Sequence, residues 1–86
     1  DEKIKVRVTD TGAFLDVVIL NKQASRIEVV LGEGKHSVRC ELLPTRSELA
    51  YTGRAMGREI VFERSRKQVQ ADLDRVNPVM RDFKRR

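Results

Sequence analysis

The sequence predicts a mainly β domain: six antiparallel strands in meander order form a small barrel or strongly bent sheet, with one C-terminal helix packed on it. Apolar and polar residues alternate through most of the first two thirds of the chain, as in strands with one buried face. Glycine-containing sequences separate the alternating runs and favour hairpin turns. Towards the C-terminus the apolar spacing changes to three and four residues, which is typical of a helix.

The first two strands are predicted over residues 3–9 and 13–20. The first alternates strictly, whereas the second is apolar on both sides, so we expect it to be covered on both faces. With Thr11-Gly12 as the loop, the apolar pairing also places Arg7 opposite Asp16. The ionic and apolar patterns therefore predict the same register.

A second hairpin is predicted from strands over residues 26–31 and 36–43, joined by the turn Gly32-Glu33-Gly34-Lys35. The predicted register pairs Val29 with Val38 on the core side. On the other side it pairs two glutamates with arginines, which supports the same alignment. Polar loops are predicted before and after this hairpin, at residues 21–25 and 44–47.

A third hairpin is predicted from strands over residues 48–54 and 58–64, with its turn at Met56-Gly57. The favoured register places Tyr51 opposite Phe62. A two-residue turn of this kind would require Met56 to adopt a positive φ angle, which is unfavourable for methionine. A longer loop that includes the preceding alanine is the alternative.

The helix is predicted over residues 66–76. Ser65 and Gln68 have the spacing of a capping box, in which each side chain bonds the other residue's backbone amide. Asn77-Pro78 then interrupts the helical pattern, because proline disfavours helical geometry in the residue before it. The helix is therefore expected to stop there or to continue with a kink to residue 83.

One apolar core is expected inside the sheet, made of the inward residues of each strand. Its predicted members are Ile4, Val6, Val8, Leu15, Val17, Ile19, Ile27, Val29, Leu31, Val38, Cys40, Leu42, Leu49, Tyr51, Ile60 and Phe62. A second apolar group faces outward on the second strand. The favoured hypothesis is that the helix covers this outer face. The alternative is that the face binds a partner or a second copy of the chain.

Length and composition limit the classes of function. The 86 residues suit a single domain, residues 1–86, with one modest core. The net charge is +5, and residues 65–86 hold seven Lys/Arg against three Asp/Glu. An anionic partner such as nucleic acid is therefore considered at this end of the chain, and a solvated basic tail is the alternative. A single cysteine and the lack of a long apolar run favour a cytoplasmic protein without a membrane partner. A leader removed before Asp1 remains an open alternative.

Catalytic, metal and cofactor sites are not predicted. Cys40 and His36 lie too far apart on one strand to act together, and Cys40 is expected in the core. The glycines at residues 32 and 34 join two strands, whereas a phosphate-binding loop leads into a helix. The carboxylates of the strands have cross-strand arginines, which favour their ionised form. We therefore expect a protein that is not an enzyme and has no small-molecule substrate.

Two functional hypotheses follow. The first is a non-catalytic binding module that contacts nucleic acid through basic residues of the third hairpin and the C-terminal segment: Arg54, Arg58, Arg66, Lys67, Arg75, Arg81, Lys84, Arg85 and Arg86. The second is a protein-interaction or homodimerisation module. Its predicted interface residues are Phe14, Val18, Leu20, Leu73, Met80 and Phe83.

Overall fold

Six strands follow one another around a closed antiparallel barrel, and an α-helix follows the last strand. The computed structural model describes residues 2–32 and 34–76. The architecture confirms the predicted mainly β meander, and the pairing of the first strand with the sixth closes the barrel. The elements are β1 (Lys3–Val8), β2 (Phe14–Gln23), β3 (Arg26–Leu31), β4 (Val38–Pro44), β5 (Tyr51–Ala55), β6 (Arg58–Phe62) and α1 (Arg66–Val76).

The register of the first hairpin differs from the predicted one by two residues. Val6 pairs with Leu15, and Lys5, rather than Arg7, lies opposite Asp16. The Lys5 ammonium is 3.2 Å from the Asp16 carboxylate. A shift of two residues leaves every side chain on its predicted face, and β1 has a cation at each outward position. Neither the apolar nor the ionic pattern could therefore distinguish the two registers.

The second hairpin shows the same two-residue shift. Val29 pairs with Cys40 rather than Val38, and β4 begins at Val38 because Gly34–His36 form a short 3₁₀ turn. The shift also places two glutamates opposite each other, at positions 28 and 41. In the third hairpin the predicted register is confirmed, since Tyr51 pairs with Phe62.

The predicted polar loop at residues 21–25 is wrong. β2 continues to Gln23, which pairs with Arg26 across a two-residue turn, and the register shifts between Ile19 and Asn21. The polar composition of this segment hid the strand. Its Lys22 is half-buried and donates a hydrogen bond to Asp72 of α1.

Most of the predicted core is confirmed as one buried cluster, with two clear exceptions. Leu49 is 69% exposed, because β5 begins only at Tyr51 and Leu49 lies in the preceding loop. Leu15 is 37% exposed, although it is on the inward side of β2. Val69 of α1 joins the core and is completely buried.

The helix α1 covers one end of the barrel. Its Val69 is buried in the barrel core. Leu73 lines a cavity with Ile4, near the start of β1, and Phe62, at the end of β6. Because these strands are antiparallel, the two residues lie at the same end of the barrel. The predicted capping box is confirmed, with Ser65–Gln68 bonds of 3.0 and 3.1 Å. Within the described residues, no helix is long and apolar enough to cross a membrane.

The expectation that the helix covers the outer face of β2 is wrong for the described part of the helix. Phe14 and Leu20 remain 62% and 47% exposed, and Val18 is half-buried. An uncovered barrel end would leave interior apolar side chains in contact with water. The apolar side chains of α1 pack against that end and not against the outer face of β2. Residues 77–86 of the predicted kinked extension lie outside the described residues.

Candidate functional site

The two ends of the barrel differ. We call the end covered by α1 the helix end. The opposite end, which we call the open end, is formed by the β1–β2, β3–β4 and β5–β6 connections. It contains a cavity of about 390 Å³. The residues that line this cavity are Val8, Thr11, Ala13, Leu15, Leu31, Ala55, Met56, Arg58 and Ile60.

The cavity is an apolar cup with a buried floor and an exposed rim. Val8, Leu31 and Ile60 form the floor and are at most 4% exposed. Leu15 and Met56 lie at the rim and are 37% and 69% exposed. Exposed apolar side chains that surround a concave apolar floor are typical of a binding surface.

Met56 has an unfavourable backbone conformation. Met56 and Gly57 form the two-residue turn between β5 and β6, with φ angles of +54° and +75°. Positive φ at both positions matches the twist of the flanking strands, but costs about 1 kcal/mol or more for a residue with a side chain. The chain thus tolerates strain at a position that places a long, adaptable apolar side chain on the rim of the cup.

Cations lie at the open end, and one of them is in the wall of the cup. Arg58 lines it, and its guanidinium is 3.9 Å from the Asp10 carboxylate, with both side chains more than half exposed. Arg54 and Lys35 are exposed and have no ion pair within the described residues. Glu59 lies opposite Arg54 in the register. The open end therefore combines an apolar cup with weakly engaged positive charge.

The helix end has a buried ionic cluster centred on Asp72, which is 8% exposed. The Arg64 guanidinium donates two hydrogen bonds to its carboxylate, at 2.6 and 2.7 Å. Arg75 and Lys22 donate further bonds at 2.9 and 3.3 Å. The bonds from Arg64, followed by those from Lys22, outweigh burial and hold the pKa of Asp72 down at about 2. The bonds between Arg64 and Asp72 also raise the pKa of Arg64.

This cluster attaches the helix to the barrel. A carboxylate with so low a pKa is ionised near neutral pH, so it has no proton to donate and is only a weak base. The adjoining cavity of about 530 Å³ also contains Glu2, which bonds Lys22 at 3.2 Å. Its charged groups are therefore engaged with one another. The sequence interpretation missed the cluster because it assigned Lys22 to a polar loop.

Cys40 has no features of a nucleophile. Its thiol is buried and lies 3.4 Å from the backbone oxygen of Arg54, to which it can donate a hydrogen bond. Burial, and to a smaller extent the charge of Glu41, raise the pKa of the thiol, which disfavours the reactive thiolate. His36 is exposed in the 3₁₀ turn. Among residues 2–32 and 34–76, no group of His, Cys, Asp or Glu side chains could hold a metal ion.

The described members of the predicted nucleic-acid set do not form one surface. Arg54 and Arg58 lie at the open end, whereas the described basic residues of the helix lie at the other end. Arg66 is 2.9 Å from Glu48, and Arg75 is bound to Asp72 as described. Lys67 is exposed and, in the described part of the chain, has no ion pair. The remaining predicted cations, Arg81, Lys84, Arg85 and Arg86, lie outside the described residues.

The predicted apolar interface is also divided. Phe14, Val18 and Leu20 lie on the outside of β2, but Leu73 packs against the core. Met80 and Phe83 lie outside the described residues. The observed registers show a different outer row, which crosses five neighbouring strands: Leu43, Thr52, Val61, Arg7 and Phe14. Self-association through the outer face of the barrel stays a prediction.

Comparisons with known proteins give no match. No protein-family model matches the chain, and neither curated proteins nor solved structures show significant similarity to it. The candidate site is thus defined by geometry alone, as an apolar cup with a basic rim at the open end of a closed barrel.

Proposed function

We propose that this protein is a non-catalytic interaction module that binds a protein partner at the open end of its barrel. The observation that carries the proposal is the apolar cup, in which Leu15 and Met56 stay exposed above a buried floor. Apolar pockets of this kind accept the anchoring side chains that contribute most of the binding energy at protein interfaces.

The strained turn supports this choice of surface. Asparagine at position 56 would suit a positive φ angle better than methionine does, so Met56 is not explained by the stability of the turn. Methionine is frequent at surfaces that adapt to a partner because its side chain is flexible and polarisable. Strain that folding does not require is often found at functional positions.

The chemistry of the remaining groups favours binding over catalysis. The thiol of Cys40 has a raised pKa, and the carboxylate of Asp72 has a lowered one, so neither matches the requirements of a nucleophile or a general base near neutral pH. A cytoplasmic setting belongs to the same proposal. It is supported by the free, buried cysteine, because thiols stay reduced in that compartment.

Titration with the dye anilinonaphthalenesulfonate (ANS) tests whether the cup binds apolar groups. We expect the intact protein to bind ANS with increased fluorescence, and Met56→Asp and Leu15→Asp to abolish this increase. Leu49→Asp is the matched control, since Leu49 is as exposed as Met56 but lies in the loop before β5, at the helix end. A cooperative thermal transition in each variant would establish that the fold is retained. Equal binding by Met56→Asp and the intact protein would refute the proposal.

Nucleic-acid binding is the second candidate, favoured by cations that have no ion pair in the described part of the chain. These are Lys3, Lys35, Arg39, Arg46, Arg54 and Lys67. Fluorescence anisotropy with labelled single-stranded and duplex oligonucleotides tests it, and the affinity should fall steeply with added salt. Binding should also weaken in Arg39→Gln and in a chain that ends at residue 76. No change in anisotropy at low salt would exclude this candidate.

A further inference from the structure

We infer that the segment bound in the cup is acidic and amphipathic, with an apolar side chain in the cavity and carboxylates that bind Arg58 and Arg54. The inference rests on the proposed function, because it names the partner of the same site. It depends on three observations: the shape of the cup, the weak engagement of the arginines at the open end, and the position of Asp10.

The cup suits a side chain presented by a protein. Its volume of about 390 Å³ is near the lower end of the roughly 300–1,000 Å³ typical of binding pockets. The floor residues Val8, Leu31 and Ile60 belong to the packed core, so a bound group cannot pass into the barrel. Only Thr11 and Arg58 among the lining residues are polar. An apolar anchor that enters from the rim satisfies this lining.

The two arginines at the open end have capacity for a further anion. Arg58 lies 3.9 Å from Asp10, whereas Arg64 and Arg7 lie 2.6 Å from their carboxylates. Arg54 is exposed and, within the described residues, has no ion pair. A guanidinium favours a planar, two-point interaction with a carboxylate, and a separation of 3.9 Å does not provide one.

Asp10 would compete with the partner. Its carboxylate is the one that faces Arg58 in the described structure, and both groups are exposed enough for a carboxylate of the partner to take its place. Removal of the Asp10 charge should therefore strengthen the binding of an acidic segment. Removal of the Arg58 charge should weaken it. These opposite effects would not arise from loss of structure.

Synthetic peptides of three compositions test the inference by fluorescence anisotropy. Each carries a leucine pair, flanked by glutamates, by glutamines or by lysines. We expect the glutamate peptide to bind most tightly, with roughly tenfold weaker binding to Arg58→Gln, equivalent to the loss of one charged contact. Asp10→Asn should bind it several-fold more tightly. Arg46→Gln, which removes an exposed cation from the loop at the helix end, should leave the affinity unchanged.

The results distinguish this inference from the proposed function. If the glutamate and glutamine peptides bind equally, or if Arg46→Gln weakens binding as much as Arg58→Gln, the acidic partner is refuted while the cup remains a binding site. If ANS binds in the cup but no peptide does, a small apolar molecule replaces the protein partner and the inference fails. If neither ANS nor any peptide contacts the cup, both proposals fail.

Discussion

The helix end and the open end of the barrel differ in how far their apolar side chains are shielded from water. At the helix end, Val69 is buried in the core and Asp72 joins the helix to β2 and to Arg64 through bonds of 2.6 to 3.3 Å. At the open end, Leu15 and Met56 remain exposed, and the nearest ion pair spans 3.9 Å. The helix α1 therefore covers one end of the barrel, and the other end stays accessible to solvent.

This difference indicates which end is structural and which is available to a partner. A charged cluster in which each group has a close partner stabilises the fold but offers little to a ligand. Exposed apolar groups beside weakly paired cations contribute little to folding but favour association. Mutations at the helix end should therefore reduce stability, and mutations at the open end should reduce binding.

The largest contrast is expected between Val69→Asp and Leu15→Asp, because Val69 is completely buried at the helix end and Leu15 is 37% exposed at the open end. Val69→Asp places an unpaired charge in the core and should lower the free energy of unfolding by roughly 3–5 kcal/mol. Leu15→Asp leaves its carboxylate at the exposed rim and should cost about 1 kcal/mol or less. Urea unfolding followed by circular dichroism measures both values. Similar losses would show that the two ends are packed alike.

Asp72→Asn should give the next largest effect. Its loss leaves three cations without their shared carboxylate, and we expect a destabilisation of about 2 kcal/mol at neutral pH. The pKa of Asp72 falls from an ordinary 3.8 to about 2 in the folded chain, so its contribution is complete above about pH 4. It is lost as the pH falls towards about 2. Unfolding curves of the intact protein and the variant should therefore converge on acidification.

Asp16→Asn is the control for this prediction. Asp16 pairs with Lys5, but both side chains are largely exposed, and exposed pairs contribute little. Its replacement should leave the unfolding transition nearly unchanged. A pH-independent difference between the intact protein and Asp72→Asn would contradict the role given to the ionic cluster.

The smallest effect is expected at Met56. Met56→Asn should stabilise the protein by about 0.5–1 kcal/mol, because asparagine tolerates positive φ and asparagine-glycine favours this turn. The same variant should bind ANS less well, since the rim loses an apolar side chain. Gly57→Ala is the opposite control and should destabilise the protein, because alanine is disfavoured at a φ of +75°. A loss of stability in Met56→Asn would contradict the strain assigned to this turn.

The sequence predicted the β meander, the third hairpin and the capped helix because each depends on neighbouring residues. Alternation defined the strand faces, and Ser65 with Gln68 defined the start of the helix. Registers were less accessible, because a two-residue shift keeps every side chain on its face. The continuation of β2 to Gln23 escaped prediction because its residues are polar and the contact of Lys22 with Asp72 joins distant parts of the chain.

The candidate site was only partly predictable. Arg54 and Arg58 were identified as a basic hairpin tip, and a two-residue turn with Met56 at positive φ was one of the two alternatives that the turn sequence left open. The cup was not identified, because Leu15 has the sequence pattern of a core residue. Its position at the end of the barrel that α1 does not cover became visible only in the three-dimensional structure. The sequence also favoured a basic helix as the binding surface. In the structure, Arg66 and Arg75 are engaged with Glu48 and Asp72.

The central claim is that the open end binds and the helix end does not. Chemical-shift mapping of the ¹⁵N-labelled protein during titration with ANS tests this claim directly. We predict that the amide shifts cluster at the cup, around Leu15, Leu31 and Met56, while the amides of Val69 and Asp72 keep their positions. Shifts centred on the helix end, or spread evenly over the barrel, would contradict the account.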